Sequence, residues 1–477
     1  MTPSIIGRKS ECTVLARLLH SKQPELLAIY GRRRVGKTYL IRNYYADNLA
    51  FYATGQAGAT IRQQLDNFRE QLSVHFPDKK FSTPENWQEA FHLLRSAIQE
   101  KKEISKKVLF FDELPWLDTH KSGFLPAFGY FWNVFASQRP DLLVVICGSA
   151  ASWIIRKVVN NKGGLHNRIT QRIRLLPFTL SETESYLRAR KINLNRYQLL
   201  QLYMVIGGVP HYLNAVERGK SVQQNIADSC FSKDGLLANE FSNLYRSLFS
   251  SPERHEEVIR ALSAKNMGLT RSQLANTGKI PAGGGLTTTL TELEESGFIE
   301  RIQPFQKKKQ DALYRLTDEF SLFYFRFMEG SRGLNQGQWL AQSQSSSYRS
   351  WSGYAFENVC IRHIDRIREV LGISGMVTYQ ASWRKAGNAQ GPGAQIDLLI
   401  DRSDQCINVC EIKFSEQLFT IDKSYAEALQ RKLLAFRTAT KTRKTTFLTM
   451  ITTYGIKEND HKTQSVDSQL TMDDLFR

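Results

Sequence analysis

The sequence predicts an α/β fold in which a phosphate-binding loop closes the first strand of a parallel sheet, with helical and further α/β segments behind it. Three stretches carry that expectation. Gly31-Arg32-Arg33-Arg34-Val35-Gly36-Lys37-Thr38 fits the pattern G-x-x-x-x-G-K-[ST], between an apolar run at 26–30 and a helical segment at 39–45. Val108-Leu109-Phe110-Phe111-Asp112-Glu113 reads as a strand buried on both faces, with two carboxylates at the end where parallel sheets bind ligands. Leu142-Leu143-Val144-Val145-Ile146-Cys147 reads as a third buried strand and runs into Gly148-Ser149.

Each residue type in this set has a chemical reason to be there. The glycines let backbone N–H groups turn toward β- and γ-phosphates, Lys37 adds a point charge, and the Thr38 hydroxyl suits Mg²⁺. Asp112 would reach that Mg²⁺ through water, and Glu113 would polarise the attacking water. Ser149 is placed to sense the γ-phosphate or that water; its competing role is to cap the helix that starts near 152. The basic segment that follows (Arg156, Lys157, Lys162, Arg168, Arg172, Arg174) reads mostly as a solvated face. Within it Arg168 is the candidate arginine finger, acting across a subunit contact in a homo-oligomer. ATP and Mg²⁺ are the expected cofactors.

At 477 residues the chain exceeds a single core and should hold three or four domains. No apolar run reaches the length of a membrane span and residues 1–4 begin no secretory signal, so a cytoplasmic protein without a membrane partner is expected. Six cysteines without metal-ligand spacing read as reduced thiols. The net charge of +18 favours an anionic partner, nucleic acid and DNA first. Residues 1–251 hold 34 Lys and Arg against 20 Asp and Glu, whereas 351–477 hold 17 against 15, so a grip on a polyanion should involve the N-terminal half.

Around these motifs, a Leu-rich helix near 14–19 precedes the first strand, and 51–53 forms another strand. Residues 60–105 are helical with breaks at Pro77 and Pro84, and the aromatic residues of 124–135 read as core. A last strand at 173–176 leads to Pro177-Phe178 and to helices ending near 248, within which Gly207-Gly208-Val209-Pro210-His211-Tyr212-Leu213 breaks the helical pattern. With Ile6-Gly7-Arg8, Phe111-Asp112-Glu113-Leu114-Pro115-Trp116-Leu117, Cys147-Gly148-Ser149 and Arg168, this set resembles the archaeal-type AAA+ ATPases, a branch close to the STAND regulatory NTPases. The resemblance spans most of residues 5–213. It implies that Gly7 and Arg8 lie near the adenine, and that Pro210 belongs to a lid motif touching the base.

Residues 252–316 read as a winged helix-turn-helix: helices around 258–262, 270–274 (capped by Thr270) and 287–296, then a hairpin of 298–302 and 313–316 with a wing at 304–310. The third helix offers Thr287, Thr288, Thr289, Thr291, Glu292, Glu294 and Glu295 and no Lys or Arg before Arg301, so a structural or protein-docking role stands beside DNA contact. An aromatic brace helix at 318–328 and a Gln- and Ser-rich surface linker at 331–350 follow.

In the C-terminal stretch, Glu411 and Lys413 are two apart on a strand and share a face, Asp397 lies on the preceding strand beside Gln395, and Glu357 sits on a helix. Asp397 and Glu411 with a main-chain carbonyl suit Mg²⁺, and Lys413 would deprotonate water or stabilise a phosphorane. The order resembles the D…ExK core of the PD-(D/E)xK, restriction-endonuclease-like nucleases, which the ATPases named above carry at their C-termini; Glu357 would be the helix acid and Gln395 a supporting donor. The expected layout is an ATPase core at 1–180, a helical lid at 181–250, the winged helix with its brace at 252–330, the linker at 331–350 and the nuclease-like domain at 351–477. The expected activity is ATP hydrolysis driving or licensing DNA cleavage; the alternative is a STAND-like nucleotide-gated switch that holds DNA or a protein without cutting.

Overall fold

Five strands with almost unbroken apolar sequence pair in parallel at the start of the chain: Glu25–Tyr30 (β1), Leu49–Thr54 (β2), Lys107–Asp112 (β3), Leu142–Gly148 (β4) and Gln171–Arg174 (β5). Their order in the sheet is β2-β3-β4-β1-β5. This computed structural model describes residues 5–99, 105–149, 151–159, 165, 167–249, 251–277, 283–308, 311–330, 336–387 and 393–477. The chain divides into two compact units, residues 1–176 and 177–477.

In the first unit, side chains alternate across the sheet and both faces are covered. Leu26, Ala28, Leu109, Phe111, Val144 and Ile146 meet the rings of Phe68, Phe91 and Phe128 on one side. Leu27, Ile29, Val108, Phe110, Val145 and Cys147 meet Leu40 and Ile41 on the other. Two-sided burial is why β3 and β4 read as continuous apolar runs, and each such side chain contributes roughly 1.5–3 kcal/mol. Parallel pairing, with Val108 opposite Leu143 and Ile29 opposite Cys147, brings the C-terminal ends of β1, β3 and β4 to one edge. That edge is where the loop after β1, the carboxylates after β3 and Ser149 after β4 converge.

The second unit begins with helices whose starts are fixed by capping boxes: Leu180–Ala189 by Thr179 and Glu182, and Arg196–Ile206 by Asn195 and Gln198. The latter helix stops at Gly207, which takes φ 62°. At Gly208 a Cβ would lie 1.8 Å from the Phe178 carbonyl oxygen, and Phe178 donates its N–H to the Gly208 carbonyl at 2.6 Å, so only glycine permits this crossing.

Further on, Pro252–Ser263, Leu269–Thr270 (β6), Arg271–Ala275 and Gly284–Glu295 precede a hairpin of Ile299–Pro304 (β7) and Leu313–Leu316 (β8). Thr270 accepts the Gln273 N–H, as its position before the second helix predicts. The hairpin is not a free wing. Through Gln303 and Pro304, β7 pairs in parallel with Ala381 and Ser382 of Thr378–Lys385 (β9). Ala394–Arg402 (β10), Cys406–Lys413 (β11), Thr445–Thr452 (β12) and Ser468–Thr471 (β13) extend the sheet to eight strands, in the order β13-β12-β11-β10-β9-β7-β8-β6. The sequence boundaries at 250, 330 and 350 therefore all fall inside one unit.

The surface linker expected at 331–350 is corrected for its described part. Gln336–Gln342 is a helix, and Trp339 is fully buried with its ring stacked 4.9 Å from Phe231. Ser345 then caps the helix Ser346–Arg362, in which Tyr348 and Trp351 are buried. One Trp covers 150–250 Å² by itself, so a segment poor in apolar residues can still pack tightly. The calls on Lys162, Lys309 and Gln310 and on 331–335 fall outside the described residues. Among the described residues no helix is long and apolar enough to cross a membrane.

Candidate functional site

The loop after β1 is held by its own backbone. Gly31 has φ 145° and a Cβ there would meet the Leu175 carbonyl oxygen at 2.3 Å; Gly36 takes φ 92° at the start of the helix Lys37–Tyr44. Three non-glycine residues at this edge, Arg8 (φ 58°), Arg34 (φ 71°) and Glu113 (φ 46°), also lie in the left-handed region. Each costs on the order of 1 kcal/mol or more and persists only where the surroundings enforce it, the usual situation in a ligand site.

Lys37 is 5% exposed and folds back over the loop, its Nζ donating to the Gly31 carbonyl at 2.8 Å, the Arg32 carbonyl at 2.9 Å and Ser149 Oγ at 3.1 Å. Burial pulls its pKa below the usual lysine value, against the opposing pull of Glu113 and Asp112. Thr38 Oγ1 donates to Asp112 Oδ2 at 2.6 Å, and Asp112 Oδ1 accepts the Glu113 N–H at 2.9 Å. Ser149 links the two halves of the site: its Oγ donates to Glu113 Oε1 at 2.6 Å and its N–H to Glu113 Oε2 at 3.2 Å. Lys37, Thr38, Asp112, Glu113 and Ser149 are thus brought together as the sequence predicts. Val35 is buried and its carbonyl accepts from the Arg8 guanidinium at 3.0 Å; Arg8 also donates to the Leu176 carbonyl at 2.7 Å, so it ties the loop to the end of the sheet beside Gly7.

The Thr38 hydroxyl and Asp112 carboxylate form a hard-oxygen pair at the strand end, and this donor set fits Mg²⁺ bound together with phosphate oxygens. Arg168 is exposed in the turn before β5. Pro210 opens the short helix Pro210–Leu213 of the second unit.

In the second unit Glu357, Asp397, Glu411 and Lys413 come within electrostatic reach of one another. The pairing of β10 with β9 shifts register between Ile396 and Leu399, a bulge at the position of Asp397. Gln395 Nε2 donates to Asp397 Oδ1 at 2.5 Å. Glu411 is already satisfied: Oε1 accepts from Tyr425 Oη at 2.9 Å and pairs with Lys413 at 3.2 Å, and Oε2 accepts from Lys432 Nζ at 2.5 Å. Burial works to raise its pKa, and the charges of Lys432 and Lys413 outweigh burial and lower it. Glu357 lies across from buried Arg315 at 3.6 Å, whose guanidinium sits 5.0 Å from the Tyr354 ring centroid.

The metal role expected of Asp397 and Glu411 meets a set of side chains that already occupy Glu411. Among the described residues no group of three or more Asp, Glu, His or Cys is arranged to hold a metal ion, and both Glu411 oxygens are engaged by Lys432, Lys413 and Tyr425. A cation shared by Asp397 and Glu411 would have to displace Lys432 and Lys413 from the Glu411 oxygens. Tyr425 and Lys432 were readable in principle, since they are seven apart on the helix Lys423–Thr440 and share its face. Arg315, far away in sequence on β8, carried no local signal.

Burial, then the neighbouring Asp397 charge, raises Glu357 to about 7. Between pH 4.5 and 7 the folded protein then keeps a proton that the unfolded chain has released, so this residue subtracts stability as pH rises through that window. Glu357→Gln should raise stability above pH 7 by roughly 1–3 kcal/mol and leave it unchanged below pH 4. Thermal melts of both proteins across pH check this; parallel pH curves would contradict it.

Residues 6–216 match the ATPase domain described as predominantly from Archaea. A protein of Methanocaldococcus jannaschii is 23% identical over 418 residues, covering 86% of this chain and 88% of that protein. The solved Walker-type ATPase of Pyrococcus abyssi is 18% identical with a TM-score of 0.50, covering 68% of this chain and 96% of the other, a likeness of fold. Over residues 6–216 the chain is thus similar to an ATPase domain of archaeal type.

Proposed function

We propose that the chain binds and hydrolyses ATP at the loop after β1 and works as a nucleotide-gated switch that holds DNA without cutting it. The observation that carries the ATPase part is the connected set Lys37, Ser149, Glu113, Asp112 and Thr38 at one sheet edge. ATP would draw Lys37 Nζ from the Gly31 and Arg32 carbonyls to its β- and γ-phosphates. Thr38, with Asp112 behind it, would hold Mg²⁺, which when bound offsets phosphate charge. Glu113 orients the attacking water once Ser149 yields it, so the Ser149–Glu113 contact sets whether the site is idle or committed.

DNA is the partner favoured by the basic excess of residues 1–251. The helix-and-hairpin segment 252–316 is read as a winged helix serving as a docking arm. Glu292 of its third helix is spent on buried His255 at 2.8 Å, which fits a structural face better than a phosphate-binding one. The switch is preferred to the nuclease because Glu411 is neutralised by Lys432 and Lys413. The grouping of Glu357, Asp397, Glu411 and Lys413 is what keeps cleavage as a second reading. The deciding experiment incubates the purified chain with plasmid, ATP and Mg²⁺. The expected result is ATP turnover and nucleotide-dependent DNA retention without nicking. Nicking that disappears in both Asp397→Ala and Glu411→Ala would overturn the switch in favour of the nuclease.

A further inference from the structure

Arg33 is the third residue of the phosphate-binding loop and has no role in the reading above. It is half-buried, and its guanidinium carbon lies 5.7 Å from the centroid of the Trp116 ring, within the range of a cation–π contact. Trp116 is one helical turn beyond Glu113, and its N–H donates to the Glu113 carbonyl at 2.9 Å. That turn is itself clamped. Gln64, buried, donates from Nε2 to the Trp116 carbonyl at 3.0 Å and to the Gln56 carbonyl at 2.7 Å. At Gly55 a Cβ would come within 2.6 Å of the Glu113 carbonyl oxygen and 2.8 Å of Trp116 Cβ, so the end of β2 sits directly on it. The backbone that carries the indole is therefore held in place, and the arginine lies against that ring on the Glu113 side of the loop.

We propose that Arg33 acts in cis on ATP hydrolysis, leaving the Trp116 face to lie against the terminal phosphoryl group and stabilise the charge that develops there. The proposal rests on the ATPase reading. In the step concerned the water oxygen bonds to the γ-phosphorus, the bond from that phosphorus to the β,γ-bridging oxygen breaks, and the bridging oxygen leaves on ADP with the electron pair. The proton of the water passes toward Glu113. Charge therefore builds on the transferring group between Lys37 and Glu113, and a guanidinium fork suits its oxygens better than an ammonium does. The charge of Arg33 already reaches this space, since it is among the groups that depress the Lys37 pKa. A cation supplied by the loop would make each chain self-sufficient, with no arginine required from a second copy.

The test is steady-state ATP hydrolysis by the full chain, Arg33→Ala and Arg33→Lys, over a wide dilution series, together with thermal shifts by ADP and by ADP with aluminium fluoride. Arg33→Ala should lose kcat on the order of 10³-fold while KM and the ADP shift stay near wild type. Arg33→Lys should recover part of kcat. The extra shift from aluminium fluoride should vanish in Arg33→Ala, and wild-type activity per chain should not change on dilution. A variant that binds ADP and turns over at the wild-type rate overturns the proposal, as does a raised KM with kcat intact. A wild-type protein without ATPase activity would instead remove the reading on which it rests.

Discussion

Lys37→Ala should abolish ATP turnover, by on the order of 10³-fold or more, because the charge it removes is buried and has no substitute. The ammonium is held by two main-chain carbonyls of its own loop and by Ser149, so it is stationed where phosphates would arrive. Its depressed pKa reflects the cost of keeping that charge away from water, a cost that bound phosphate would relieve. The substitution also leaves the Gly31 and Arg32 carbonyls and Ser149 without this donor, so a modest fall in melting temperature should accompany the lost activity. Phosphate release under saturating ATP measures the first effect. Turnover at the wild-type rate would remove the phosphate-loop assignment altogether.

Glu113→Gln should separate binding from chemistry. The amide oxygen can accept one of the two hydrogen bonds that Ser149 now donates and its NH2 can donate to Ser149 Oγ, so the side chain stays in place, but the group no longer attracts a proton from water. Hydrolysis should fall about 10²–10⁴-fold while ATP remains bound. Filter retention of labelled ATP alongside phosphate release reads the two quantities in one preparation. If release stays within a few-fold of wild type, the water-orienting role belongs to another group.

The ATPase edge was legible because its signals are local. Lys37 and Thr38 follow a glycine at fixed spacing, and Asp112 and Glu113 follow four consecutive apolar residues. The strained backbone at Arg8, Arg34 and Glu113 had no such signal, since nothing in a residue name reports φ. The C-terminal acids were found in the right order, but their partners were not. Lys432 reaches Glu411 from a helix twenty-one residues later, and Arg315 reaches Glu357 from a different part of the sheet. The joining of β7 to β9 depends on two residue pairs nearly eighty positions apart, which no periodicity encodes. Trp339 was hidden by its glutamine and serine neighbours, although one buried indole was enough to anchor an otherwise exposed helix.

The junction at Gln303 and Pro304 has a mechanical meaning. Phe305 also donates its N–H to the Ser382 carbonyl at 2.9 Å, so the helix-and-hairpin arm is sewn by main chain to the strand lying next to that of Asp397. A partner that pulls or twists the arm would deliver its load to the acidic cluster through peptide bonds and sheet hydrogen bonds. The arm and the cluster would then act as two ends of one lever.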